Sequence, residues 1–351
     1  MNIGVLGSGF MGGTHARAFA KLPGVNVVAV SSRSIEKARK LGAEVGAAAT
    51  TDDMAIINDP AIDAVSNTLP THLHKQYTVA ALQAGKHVLV EKPFALHVAE
   101  CDAMIRAQKK SGKILMIAHV LRFWPEYVAL EKFVRSGAIG KPISAVGSRL
   151  SQRPAWADWF GNPDLSGGAV LDLLIHDLDA LNWIFGKPQT VYARGRETKR
   201  GAWDHILAVV DYGKAQGLIE ASEFLPPGYP FTMSLEVLCE RGRVEFIFRA
   251  GGVSVEMGGG ASLTAYEEDK AYPLESESGD AYERQIAYFV DCVRQNRLPE
   301  LGTPAQARLA VAMSNAARES LERSRVVNVA RANAPTRVKA KSKPTKSKRK
   351  K

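Results

Sequence analysis

Asn2-Ile3-Gly4-Val5-Leu6 followed by Gly7-Ser8-Gly9-Phe10-Met11-Gly12 decides how the first third of this 351-residue chain is read. The apolar run is a strand, and the G-x-G-x-x-G behind it opens a helix. That context turns a common glycine spacing into a dinucleotide-site signal. The first glycine permits the tight turn, the second lets a pyrophosphate approach the backbone, and the third allows close helix–strand packing. Free N–H groups and the dipole at the helix start then hold phosphate.

Outward from that turn, Val- and Ile-rich strands are expected at 3–7, 25–31, 64–68, 87–91 and 114–118, separated by helices at 14–22, 35–45, 72–84 and 98–111. Short strands alternating with helices argue for parallel βαβ units, and right-handed crossovers make them a doubly wound Rossmann sheet over 1–120. The rhythm then changes. A helix at 125–136, a strand at 143–149 and a polar loop at 151–168 precede a helix at 169–185. Strand-like stretches follow at 190–196, 206–212, 217–223, 231–239, 243–248 and 253–257, and helices at 280–294 and 303–323 end the pattern. This predicts an α+β domain over 121–330 with a large, mostly antiparallel open sheet, and an active site in the cleft between the two domains.

The charge balance is informative once located. Ten of the 46 basic residues lie in 331–351, which holds no acidic residue, leaving 36 basic against 36 acidic in the rest. The tail carries almost no large apolar residue, so it is expected to be disordered and to touch nucleic acid only weakly, by counterion release. No apolar run approaches the roughly 20 residues that span a bilayer, and no basic leader with an apolar stretch and cleavage site opens the chain. A cytoplasmic protein is expected. Cys101, Cys239 and Cys292 are too far apart for a disulfide framework, no His/Cys cluster has metal-ligand spacing, and no metal is expected.

At the end of the second strand an NAD site usually carries an Asp or Glu for the ribose hydroxyls. Here stands Ser31-Ser32-Arg33-Ser34. With no carboxylate to repel a 2′-phosphate, and with Arg33 and Ser32 able to bind one, NADP is expected ahead of NAD. Ser34 is equally suited to capping the next helix.

Asp172 and His176 are spaced i, i+4, with Asp179 three further on, so a helix sets all three on one face amid Leu, Ile and Trp. An imidazole with an ordinary pKa near 6.5 suits acid–base chemistry. Lys92 ends a parallel strand, where doubly wound folds place their ligands. Catalysis is therefore assigned to Lys92, Asp172 and His176. Arg122-Phe123-Trp124-Pro125-Glu126-Tyr127 opens the second domain. Its Arg122 and Trp124 are expected either to bind substrate, with Trp124 stacking on a sugar ring, or to pack the domain interface. Trp156 and Trp159 are weaker candidates for covering the substrate.

Three stretches besides the glycine motif carry a family resemblance. These are Pro70-Thr71-His72-Leu73-His74, Glu91-Lys92-Pro93 and the G-G-x-x-x-D-x-x-x-H formed by Gly167, Gly168, Asp172 and His176. In that order they resemble the glucose–fructose oxidoreductase and inositol dehydrogenase (Gfo/Idh/MocA) family over nearly the whole chain to about residue 325. The resemblance implies a nicotinamide-dependent oxidoreductase acting on a carbinol or ketone of a sugar or cyclic polyol. It also adds Thr68, Pro70, His74, Glu91 and Lys92 to the cofactor contacts expected at Gly7, Gly9, Phe10, Met11, Gly12, Ser32 and Arg33. Leu69 stands where relatives often have Thr, and Leu174 where glycine is common. A dehydrogenase of a non-sugar carbonyl or dihydrodiol, and a cofactor-binding regulator without turnover, are the other readings. A half-apolar sheet face in the second domain needs a cover, which predicts a homodimer or homotetramer.

Overall fold

The computed structural model describes residues 1–153, 158–199 and 201–332. Trp156 and residues 333–351 of the predicted tail lie outside them.

Six parallel strands form the first sheet, in the order β3-β2-β1-β4-β5-β6. They are β1 (Asn2–Leu6), β2 (Asn26–Ser31), β3 (Ala48–Thr50), β4 (Ala64–Asn67), β5 (His87–Glu91) and β6 (Leu115–Ala118). Between them run α1 (Phe10–Ala20), α2 (Ile35–Val45), α3 (Asp53–Asn58), α4 (His74–Gln83) and α5 (Val98–Ser111). Ile3, Val5, Leu6, Val65, Val88, Leu89 and Val90 are fully or almost fully buried, as strands covered on both faces require. Helix α2 shows how sequence sets the ends: Ser34 accepts from the Lys37 N–H at its start, and Gly46 ends it at φ +72°. Ser34 is thus a helix cap.

The second domain holds α6 (Pro125–Ser136), β7 (Pro142–Leu150), α7 (Pro163–Ser166), a π-helical turn (Val170–Leu174) and α8 (Ile175–Phe185). Then come β8 (Thr190–Glu197), β9 (Trp203–Asp211), β10 (Gln216–Ser222), β11 (Thr232–Cys239), β12 (Gly242–Ala250), β13 (Gly259–Glu267) and β14 (Lys270–Pro273). After α9 (Ala281–Arg294) and α10 (Pro304–Arg323), β15 (Val327–Asn328) and α11 (Val329–Ala332) complete the described chain. The nine strands order as β14-β13-β12-β11-β7-β10-β9-β8-β15. All pairings are antiparallel except β7 with β10. One face of the sheet is buried under α6, α8 and α10 through Ala145, Ile206, Ala208, Ile219, Leu235 and Phe246.

The expected Rossmann sheet and mostly antiparallel second sheet are therefore both present. Four details differ. Helix α1 starts at Phe10 rather than 14, running through Gly12 and Gly13 despite their poor helix propensity. The stretch 253–257, expected as a strand, is a short 3-10 turn at Val255–Met257, and the edge strands β13 and β14 follow it. Gly251, Gly252, Gly258 and Gly259 bracket that turn, and β13 is poor in branched residues, so its ladder with β12 rather than its composition makes it a strand. The brief β3 and α3 carried no period to read. The helix expected over 169–185 opens with the π turn.

The last helices return to the first domain. Ile286, Phe289, Val290 and Cys292 of α9 pack with Phe19 and Val27. Ala307, Ala310 and Val311 of α10 join Val90, Phe94, Ile117, Leu171 and Ile175 in one core. Leu171 and Ile175 flank Asp172, so this shared core fixes the π turn against the ends of β5 and β6. Among the described residues no helix is long and apolar enough to cross a membrane.

Candidate active site

The glycine turn shows three different constraints. Gly7 has φ +97°. A Cβ at Gly12 would lie 2.1 Å from the Gly7 carbonyl oxygen, whereas one at Gly9 would meet nothing within 4 Å. Gly12 is thus a packing glycine, and Gly9 faces open space at the start of α1, where no side chain caps the helix. A pyrophosphate fits there, against the N–H groups that follow Gly9. Phe10 is exposed beside it. Thr68 supports the turn from behind, its hydroxyl donating to the Leu6 carbonyl at 2.7 Å. Ser31 accepts from the Gly7 N–H at 3.3 Å and donates to Asp53. Arg33 is exposed and forms no ion pair among the described residues.

At the end of β5, Glu91 and Lys92 point into different networks. Glu91 is buried and sits 2.9 Å from His15 Nε2 on α1, whose Nδ1 lies 2.8 Å from Ser66 Oγ. It also accepts from the Lys92 backbone N–H at 3.1 Å. Glu91 is a brace between the nucleotide helix and the strand carrying Lys92. Lys92 Nζ donates to Asp172 Oδ1 at 2.8 Å and to the Asp172 carbonyl at 3.0 Å. Both side chains are 16% exposed, so the pair is largely desolvated but open to a ligand.

Asp172 lies within the π turn, a feature that is rare and concentrated at functional sites. The entry is set by Gly167 and Gly168 at φ +81° and +62°, and a Cβ on Gly167 would strike the Leu171 side chain. His176 follows in the first turn of α8. It is half-buried, and its Nδ1 has no hydrogen-bond partner. Burial, with Lys92, Arg149 and His119 nearby, holds the imidazole well below its usual pKa and therefore neutral. Lys92, Asp172 and His176 are brought together as expected, but Asp172 serves Lys92 and not the imidazole.

Two expected substrate contacts are placed elsewhere. Arg122 is 2% exposed and makes a bidentate pair with Asp179 at 2.8 and 2.9 Å, with its guanidinium 5.4 Å from the Trp183 ring. It is a structural cation. Trp124 packs edge-on against Phe248 at 6.0 Å, and Tyr127 against Phe246 at 4.9 Å, so this motif builds the core of the second domain. His74, expected to contact cofactor, has Nδ1 2.9 Å from the Pro93 carbonyl and Nε2 2.8 Å from the Leu69 carbonyl. It ties two loops together. Pro70 starts the short turn before α4, and Trp159 packs against Phe160 with ring centroids 4.3 Å apart, tilted by 40°.

His119 was missed. It follows β6, whose Ala118 is in register with Glu91, so it stands abreast of Lys92. Its Nδ1 is 3.4 Å from Asp179 Oδ2, and burial pushes its pKa down. The signal existed: the strand-end rule that selected Lys92 selects His119 too.

Residues 1–119 match the family model described as "Oxidoreductase family, NAD-binding Rossmann fold", and 127–245 match the "GFO/IDH/MocA C-terminal domain". The chain is 29% identical to myo-inositol 2-dehydrogenase of Thermotoga maritima, over 94% of this chain and 98% of that one. It is 31% identical to inositol 2-dehydrogenase of Acidothermus cellulolyticus, over 70% and 72%. Among solved structures, aldose-aldose oxidoreductase of Caulobacter crescentus superposes with a TM-score of 0.82 at 25% identity, covering 93% of this chain and 99% of that one. On these matches the chain belongs to the Gfo/Idh/MocA family of oxidoreductases.

Proposed function

We propose that this protein is a cytoplasmic NAD(P)-dependent dehydrogenase of a sugar or cyclic polyol, with Lys92, Asp172 and His176 as its catalytic residues. The observation that carries this reading is the Lys92–Asp172 pair beside a neutral His176, at the strand ends that face the nucleotide turn. The nicotinamide, when bound, supplies the hydride acceptor. The carbinol oxygen sits against Lys92 Nζ, which stabilises the charge that develops there. His176 takes the hydroxyl proton, and its depressed pKa keeps it ready to do so at neutral pH. Asp172 fixes the ammonium and offsets its charge in a partly desolvated site. In the reductive direction His176 returns the proton. Absorbance at 340 nm tests the reading with inositols, aldoses and levoglucosan against NAD and NADP. Turnover on none of them, with nicotinamide bound, would replace it by the non-sugar carbonyl or dihydrodiol reading or the regulator reading.

NADP is proposed as the better cofactor, on the strength of Arg33 and Ser32 at the end of β2. Arg33→Ala is expected to lower kcat/KM for NADP about 10-fold, the worth of a charge-assisted contact, and to leave NAD within about 2-fold. Equal losses with both cofactors would remove Arg33 from 2′-phosphate recognition.

A homodimer or homotetramer through the open face of the second sheet is also proposed. Tyr192, Val209, Leu218 and Val146 are abreast on β8, β9, β10 and β7, and all four are exposed. Four aligned apolar side chains on adjacent strands form a contiguous patch, which a monomer rarely presents to water. Leu218→Lys is expected to convert the assembly to smaller species in sedimentation velocity. An unchanged mass would place the interface elsewhere.

A further inference from the structure

Buried carboxylates in the second domain are paired with care. Asp177 meets Arg149 at 2.9 Å through both oxygens, and Asp179 meets Arg122 the same way. Glu223 departs from that pattern. It follows β10, is 7% exposed, and its Oε1 has no hydrogen-bond partner. A buried oxygen left without a partner destabilises the fold, so it calls for a reason.

Its surroundings supply one. The Glu223 N–H donates to the Asp204 carbonyl at 2.8 Å, which sets the two residues side by side at the ends of β10 and β9. Arg153, just beyond β7, pairs with Asp204. Asp172 and Lys92, the proposed catalytic pair, are close enough to act electrostatically on the Glu223 carboxyl. Gly168, at the entry to the π turn, borders Asp204, since a Cβ there would lie 3.8 Å from Asp204 Oδ1. The unpartnered oxygen is therefore within electrostatic reach of the Lys92–Asp172 pair, near where the carbinol is proposed to sit.

We propose that Glu223 is a specificity-determining residue, whose carboxyl receives the substrate hydroxyl on the carbon next to the one that is oxidised. The inference rests on the polyol dehydrogenase reading. Burial, reinforced by Asp172 and Asp204 against the opposing pull of Arg153 and Lys92, holds the carboxyl well above the usual range. In its protonated form, which that shift favours, it offers one O–H donor together with acceptor lone pairs. A hydroxyl, which donates and accepts, matches both. An apolar carbon at that place leaves the carboxyl unsatisfied, so the subsite selects for vicinal hydroxyls.

The test compares wild type, Glu223→Ala and Glu223→Gln on the polyol that the wild-type enzyme oxidises, myo-inositol first. The second substrate is the deoxy analogue lacking the hydroxyl next to the carbinol. Wild type is expected to prefer the full polyol about 100-fold in kcat/KM, and Glu223→Ala less than 3-fold. Glu223→Gln, which keeps a donor and an acceptor but cannot ionise, is expected to retain most of the preference. Its KM stays flat as pH rises, while the wild-type KM climbs as the carboxyl ionises. Undiminished discrimination in Glu223→Ala, with wild-type turnover intact, overturns this inference alone. Parallel pH profiles for wild type and Glu223→Gln overturn it as well, even if the alanine variant does not fold. Wild-type turnover on no polyol removes the dehydrogenase reading and this inference with it.

Discussion

Lys92→Ala is expected to lower kcat by about 10³-fold, in the range for removing a donor to developing charge, while nicotinamide affinity changes by less than about 3-fold. In the proposed binding mode the phosphates lie at Gly9 and the start of α1, away from Lys92. His176→Ala should cost a similar amount through loss of the base. The double variant should cost far less than the product, because the two side chains act on one oxygen. The pH profile adds a sharper reading. A base works only when deprotonated, so activity is retained above the His176 pKa and lost as pH falls through it. Burial, with Lys92, Arg149 and His119, depresses that pKa. The acid limb of kcat/KM should thus lie well below the ordinary 6.5. Removing the Lys92 cation takes away one of the causes, so the residual activity of Lys92→Met should show its acid limb at higher pH than wild type. An unshifted limb, or a loss confined to KM, would place the base elsewhere.

How far the sequence led depends on the distance over which each feature is encoded. The glycine turn, strand β1 and the alternation of β and α are local patterns, and the first sheet follows from them. Lys92 was legible because a strand end in a doubly wound fold is a known ligand position, and Asp172 and His176 because a polar pair on an apolar helix is anomalous. The π turn was not legible. It arises where Gly167 and Gly168 feed the helix into a core shared by Leu171, Ile175 and α10, a contact across more than 130 residues. Edge strand β13 is likewise made by its partner β12 rather than by its own composition. Glu223 follows a strand of the mostly antiparallel sheet, for which no strand-end rule exists, and only the folded chain brings it within electrostatic reach of Asp172.

Of the two readings open for Arg122, substrate binding or packing, its burial against Asp179 favours packing, and its substitution should reveal stability rather than recognition. In sequence, Arg122-Phe123-Trp124 looks like a sugar platform, because an arginine beside aromatics serves one well. In the fold, Asp179, 57 residues away, accepts from Nε and Nη2 of the guanidinium. Burial alone would raise the Asp179 carboxyl, but His119 and Arg122 hold it below the usual range. The stabilisation is then present above about pH 4 and lost as pH falls through the lowered pKa of the folded state. Arg122→Ala strands a buried carboxylate, for which about 3–5 kcal/mol is expected, and a fall in Tm of roughly 10 °C. KM for the polyol should change little in the enzyme that remains folded at 20 °C. Arg122→Met combined with Asp179→Leu should recover most of the loss, since removing both charges leaves nothing uncompensated and fills the volume. The recovery would be incomplete, because His119 loses its carboxylate neighbour along with the pair. A raised KM with an unchanged Tm in Arg122→Ala would instead return the arginine to the substrate. The bidentate geometry and near-complete burial of the pair argue that the loss will appear in Tm.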